Sequence, residues 1–92
     1  MKQKASGVFV VLNEKGLHTR PSTELVKLVA NYHSQIHLSY RNYVVNAKSL
    51  LGILMLAAER GARIAVDAVG EDAEEAVKAI LKLAKSRFHI KY

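Results

Sequence analysis

Hydrophobic and polar residues change period several times along this chain, and each change marks an element. Val8, Val10 and Leu12 alternate with Phe9 and Val11 up to the polar run Asn13-Glu14-Lys15-Gly16, which predicts a first strand. The period then lengthens. Leu25, Leu28, Val29 and Tyr32 recur at helical spacing with Glu24, Lys27 and Asn31 on other faces, so a helix is expected from about Thr19 to Tyr32. Alternation returns at Ile36, Leu38 and Tyr40, against His37 and Ser39, and Tyr43-Val44-Val45 follows across Arg41-Asn42 as a hairpin would. Asn tolerates positive φ but Arg does so poorly, which makes this turn less well specified than Asn-Gly. A second helix is expected from about Ser49 to Ala58, ending near Gly61, which can take the left-handed conformation that caps helices.

Arg63 to Val69 alternates again as a fourth strand. The last helix, from about Asp72 to Ser86, has Asp72, Glu74 and Glu75 at its start and Lys82, Lys85 and Arg87 toward its end, an order that complements the helix dipole. Ala73, Ala76, Val77, Ile80, Leu81 and Ala84 supply its apolar stripe. The sum is β-α-β-β-α-β-α, an α+β arrangement expected to fill residues 1–92 as one domain. A single sheet backed by helices on one face is the compact solution for such elements.

Composition narrows the class. No apolar run approaches the ~20 residues that span a bilayer, and the start MKQKASG lacks the apolar core of a signal peptide, so a cytoplasmic protein with no membrane insertion is expected. Cysteine is absent, so stability must come from packing. His33, His37 and His89 have no Cys or clustered carboxylate beside them, and no metal site or cofactor is expected. These histidines, like the four tyrosines, read as surface, strand or packing residues.

Candidate chemistry concentrates in Gly16-Leu17-His18-Thr19-Arg20-Pro21. Pro21 suits the first turn of a helix, where its missing N–H costs nothing, so His18 falls just before that helix begins. The first backbone N–H groups of a helix lack intrahelical partners and carry about half a positive charge. A phosphoryl group on His18 would meet those donors, and the Arg20 guanidinium could grip its oxygens in two places. A neutral imidazole can accept a phosphoryl group on one ring nitrogen. No Ser/His/Asp order or carboxylate pair suggests water activation, so the residues point to a carrier of phosphate rather than an enzyme. The same spacing also fits a loop histidine beside a helix start, with Arg20 a surface charge.

The run from Gly16 to Pro21, continued by Ser22-Thr23-Glu24-Leu25-Val26-Lys27, closely resembles the phosphorylation site of the HPr family, the histidine-containing phosphocarriers of the phosphoenolpyruvate-dependent sugar phosphotransferase system. Val45-Asn46-Ala47-Lys48-Ser49-Leu50-Leu51-Gly52-Ile53 is similar to that family's segment around a regulatory serine, at the family's separation. The resemblance runs from Lys4 to about Leu83 and fades over Lys85 to Tyr92. It implies an open-faced β-sandwich, a four-stranded antiparallel sheet with three helices on one face. It implies further that His18 takes phosphate from Enzyme I and passes it to IIA components of sugar permeases, with Arg20 binding the phosphate.

By the same resemblance Ser49 matches the target of an HPr kinase/phosphorylase, although Ser before an apolar run also needs no more explanation than a helix cap. Docking of the partners is implied at Thr23, Lys27, Leu50, Leu51 and Leu54. The nearly continuous apolar run Leu50 to Leu56 exceeds what one buried helix face requires, so part of it should stay exposed. A monomer is the default. The alternative function is a regulatory HPr-like paralogue that acts mainly by protein binding in carbon or nitrogen control. Such members can lack the active histidine, which this chain retains.

The net charge of +6 fits the family least comfortably. Through residue 60 there are eight Lys or Arg against three acids, so the excess lies in the part holding both motifs. Lys15, Arg20, Lys27 and Lys48 could steer an acidic or phosphorylated protein. Nucleic acid is not expected, because the basic residues form no dense run and Trp is absent.

Overall fold

The computed structural model describes residues 3–92. Strands β1 (Gln3–Val10), β2 (Gln35–Tyr40), β3 (Tyr43–Asn46) and β4 (Arg63–Gly70) form one sheet in the order β1-β4-β2-β3, antiparallel throughout. Helices α1 (Thr19–Val29), α2 (Leu50–Met55) and α3 (Ala73–Lys85) complete an open-faced sandwich, and a single 3₁₀ turn, Arg87–His89, follows α3. This is the α+β arrangement expected from the chain.

The alternating residues sort as a half-buried sheet requires. Phe9, Ile36, Leu38, Ile64, Val66 and Ala68 are buried beneath the helices, while Val8 and Val44 face outward and stay exposed. The helices meet them with Leu25 and Val29 of α1, Ile53 of α2, and Ala73, Ala76, Val77, Ile80, Leu83 and Ala84 of α3. Burying one such Leu or Ile side chain is worth about 1.5–3 kcal/mol. In α3 Leu83 is buried where the sequence pattern assigned Leu81, which is half-buried at the margin.

Three boundaries differ from the expectation. β1 begins at Gln3 rather than Val8, because its amino half, poor in apolar residues, still pairs with β4 from Gln3↔Gly70 onward. α1 stops at Val29, three residues before Tyr32. α2 is only six residues long and turns at Ala57 (φ 48), not at Gly61 (φ 89), which serves the turn into β4. Leu56 and Ala58 are both buried, and the Ala58 carbonyl accepts from Leu17 N–H at 2.9 Å, so tertiary contacts hold Ala57 in a conformation its own side chain disfavours. Arg41 likewise takes positive φ (55) in the β2–β3 turn, with its guanidinium 5.1 Å from the Tyr40 ring centroid.

Among the described residues, no helix is long and apolar enough to cross a membrane.

Candidate functional site

His18 caps the amino end of α1. Its backbone is extended (φ −74, ψ −172), and its side chain makes no capping hydrogen bond. The loop before it is tightly fixed. Gly16 has φ 71, and a Cβ there would come within 2.3 Å of the Ala58 carbonyl oxygen, so only glycine fits. Leu17 is buried, its carbonyl accepts from Ser22 Oγ at 3.0 Å, and Pro21 and Ser22 are buried in the first turn. The backbone carrying the half-buried His18 ring is therefore fixed by buried contacts on both sides.

Ser22 is the first residue to close an intrahelical bond, to the His18 carbonyl at 3.1 Å. Pro21 has no N–H, and among the described residues the N–H groups of Thr19 and Arg20 donate to no acceptor. No acidic side chain sits in the first turn. The entrance of α1 is thus electropositive and unfilled. In the ring, Nε2 is buried with no hydrogen-bond partner, whereas Nδ1 is not enclosed in this way.

Sequence reasoning missed the residue that joins His18 to Arg20. Tyr92, assigned to strand or helix packing, stacks on the His18 ring with centroids 5.8 Å apart and planes 20° from parallel. Its hydroxyl is hydrogen-bonded by the Arg20 guanidinium, which lies 5.5 Å from the ring centroid, and Lys15 Nζ lies 5.2 Å from the same centroid. Lys15, His18 and Arg20 thus surround one aromatic ring. The only signals in the sequence were Phe88 and Ile90, two apolar residues within a basic run.

Beside His18 lies a hollow of about 420 Å³ that Glu14, Lys15, Leu54, Glu59 and Arg60 help to line. Glu14 and Glu59 are exposed, and neither hydrogen-bonds to His18. Lys27, also expected near the site, pairs with Glu24 at 3.4 Å, an exposed contact of small energetic weight. Thr23 Oγ1 donates back to the Thr19 carbonyl at 2.7 Å. Leu50 and Leu54 are half-buried, whereas Leu51 and Met55 are 71% and 62% exposed. The apolar surplus of α2 therefore does reach solvent.

Ser49 caps α2, accepting from Gly52 N–H at 3.0 Å. Lys48 is exposed, but its Nζ donates to the Tyr32 carbonyl at 2.8 Å, just beyond the end of α1. Asp72 does not cap α3 with its side chain. Its carboxylate accepts instead from Ser34 Oγ, from His33 N–H at 2.8 Å and from Ser34 N–H at 2.9 Å. These bonds, the one from the Ser34 hydroxyl foremost, hold its pKa down at about 2. Among the described residues, no group of three His, Asp or Glu side chains could hold a metal ion.

Comparison with known proteins gives this geometry its class. Residues 5–86 match the family model for the PTS HPr component phosphorylation site, and the chain belongs to that HPr family of phosphocarriers. It is 40% identical over 78 residues to phosphocarrier protein HPr of Cupriavidus necator, covering 85% of this chain and 88% of that one. Against phosphocarrier protein HPr of Xylella fastidiosa the identity is 39% over 81 residues, covering 88% and 91%. The crystal structure of HPr-C-His from Thermoanaerobacter tengcongensis superposes with a TM-score of 0.90 at 35% identity, over 96% of this chain and 99% of that one.

Proposed function

We propose that His18 is the phosphoryl acceptor of this carrier, taking phosphate from phospho-Enzyme I and giving it to IIA components of sugar permeases. The observation that carries this reading is an imidazole standing as helix cap with no capping bond, above two unpartnered N–H groups and on the same helix end as Arg20. With Nε2 buried, Nδ1 is the nucleophile. Its lone pair bonds to phosphorus as the bond from phosphorus to the donor's leaving atom breaks, and the same exchange in reverse hands the group on. The N–H groups and the Arg20 fork hold the phosphoryl oxygens by charge-assisted bonds. Among the described residues no carboxylate hydrogen-bonds to the ring, so on this reading the group waits for a partner instead of being hydrolysed.

Leu50, Leu51 and Leu54, with Thr23 and Lys27, form the docking surface on this reading. Exposed Leu51 and Met55 support it, since apolar side chains at the rim of a polar site suit transient protein contacts. Phosphorylation of Ser49 would place about −1.5 to −2 charges within that surface and slow recognition by Enzyme I. The carrier would act in the cytoplasm as a monomer.

Incubation with Enzyme I and phosphoenolpyruvate tests the reading. One acid-labile phosphate per chain is expected, absent from His18→Ala; no transfer under these conditions would refute it.

A further inference from the structure

The segment after α3 is built to deliver one side chain. Arg87, Phe88 and His89 all have positive φ (55, 55 and 61), although none is glycine. Left-handed backbone costs such residues roughly 1–2 kcal/mol each, so three in succession persist only when surrounding contacts hold them. Two contacts do. Phe88 is fully buried, edge-to-face with Phe9 at 5.8 Å. Asn13, also fully buried, donates from Nδ2 to the Arg87 carbonyl at 2.9 Å and the Tyr92 carbonyl at 3.0 Å. Phe9 of β1 and Asn13 of the loop that follows it thereby hold the segment after α3.

We propose that Tyr92 restrains the site before phosphoryl transfer, its hydroxyl occupying the Arg20 guanidinium and its ring stacked on His18 until the incoming phosphoryl group takes that guanidinium away. This rests on the reading of His18 as acceptor. The unphosphorylated ring has no anion for Arg20 to bind, and among the described residues Arg20 makes no ion pair. The Tyr92 hydroxyl fills that role while its ring stacks on the imidazole. Once His18 carries a phosphoryl dianion, charge-assisted bonds about twice as strong as neutral ones compete for the same fork. Arg20 transfers to the phosphoryl oxygens, Tyr92 loses its partner, and its ring leaves the imidazole. The two states then present different surfaces to donor and acceptor proteins.

Potassium phosphoramidate, a chemical donor that needs no partner protein, tests this with NMR on the full chain. Nδ1 bonds to phosphorus while the P–N bond to the protonated amino group breaks and ammonia departs. Before labelling, ring-to-ring Overhauser contacts between His18 and Tyr92 are expected; their absence would overturn the proposal. After labelling they should vanish, and the Arg20 side-chain N–H resonances should shift. Persistence of the ring contacts on the phosphorylated chain would contradict the role.

Tyr92→Phe keeps the ring but frees Arg20, and should accept phosphate roughly two- to tenfold faster, the range set by one hydrogen bond. A rate equal to that of the unaltered chain would assign Tyr92 to packing alone and overturn the proposal. Because Tyr92→Phe retains the stacked ring, its folding is preserved and the rate reads the hydroxyl alone. Failure of His18 to label at all, with the ring contacts intact, would refute the carrier reading itself and this role with it.

Discussion

The amino ends of α1 and α2 are finished differently. Ser49 closes α2 from within, its hydroxyl taking up the Gly52 N–H. His18 leaves α1 open: the imidazole makes no capping bond and, among the described residues, the N–H groups of Thr19 and Arg20 have no acceptor. One helix end uses a donor for stability; on the proposed reading the other keeps its donors for the phosphoryl group. An oxygen at a cap is worth about 0.5–2 kcal/mol, so α1 forgoes that contribution, and its free donors suit the proposed phosphoryl group.

Arg20→Ala should cost most, since it removes the charge-assisted half of the open end. The rate of phosphate uptake from Enzyme I is expected to fall about 10- to 100-fold, corresponding to roughly 1.5–3 kcal/mol. An unchanged rate would mean that the backbone N–H groups suffice. Asn13→Ala should lower unfolding stability by about 1–3 kcal/mol in a denaturant titration, because the carbonyls it holds in the tail lose a buried donor.

Ser49→Ala should destabilise by about 1 kcal/mol and leave phosphate uptake at His18 untouched. A fall in uptake would show that the closed end also serves the transfer.

The smallest effect concerns Asp72, whose pKa is lowered from 3.8 to about 2. A carboxylate with a depressed folded pKa stabilises above its unfolded value, so its contribution is complete above about pH 4 and is lost as pH falls through about 2. Melting temperature measured across that window should decline less steeply in Asp72→Asn.

The contrast between the two caps could be read from the chain because both rest on local chemistry. Gly16, Pro21 and the placement of His18 and Arg20 specify the first helix start, and Ser49 ahead of Leu50 and Leu51 specifies the second. Alternation placed the strands for the same reason. What escaped depends on contacts distant in sequence. Ala57 ends α2 because Ala58 is hydrogen-bonded to Leu17, and nothing near Ala57 favours positive φ. The tail turns left-handed at Arg87–His89 without glycine because Asn13 and Phe9 hold it, and so Tyr92 reaches a histidine 74 positions away. Asp72, read from the chain only as an acid at the start of α3, tethers the α1–β2 connection through Ser34.

The open helix end, not the closed one, is expected to receive phosphate in this carrier. Acid-labile phosphate counted per chain after incubation with Enzyme I and phosphoenolpyruvate, side by side for His18→Ala and Ser49→Ala, addresses it directly. The expected result is none on His18→Ala and one on Ser49→Ala. Phosphate retained by His18→Ala, or lost from a folded Ser49→Ala, would contradict the account.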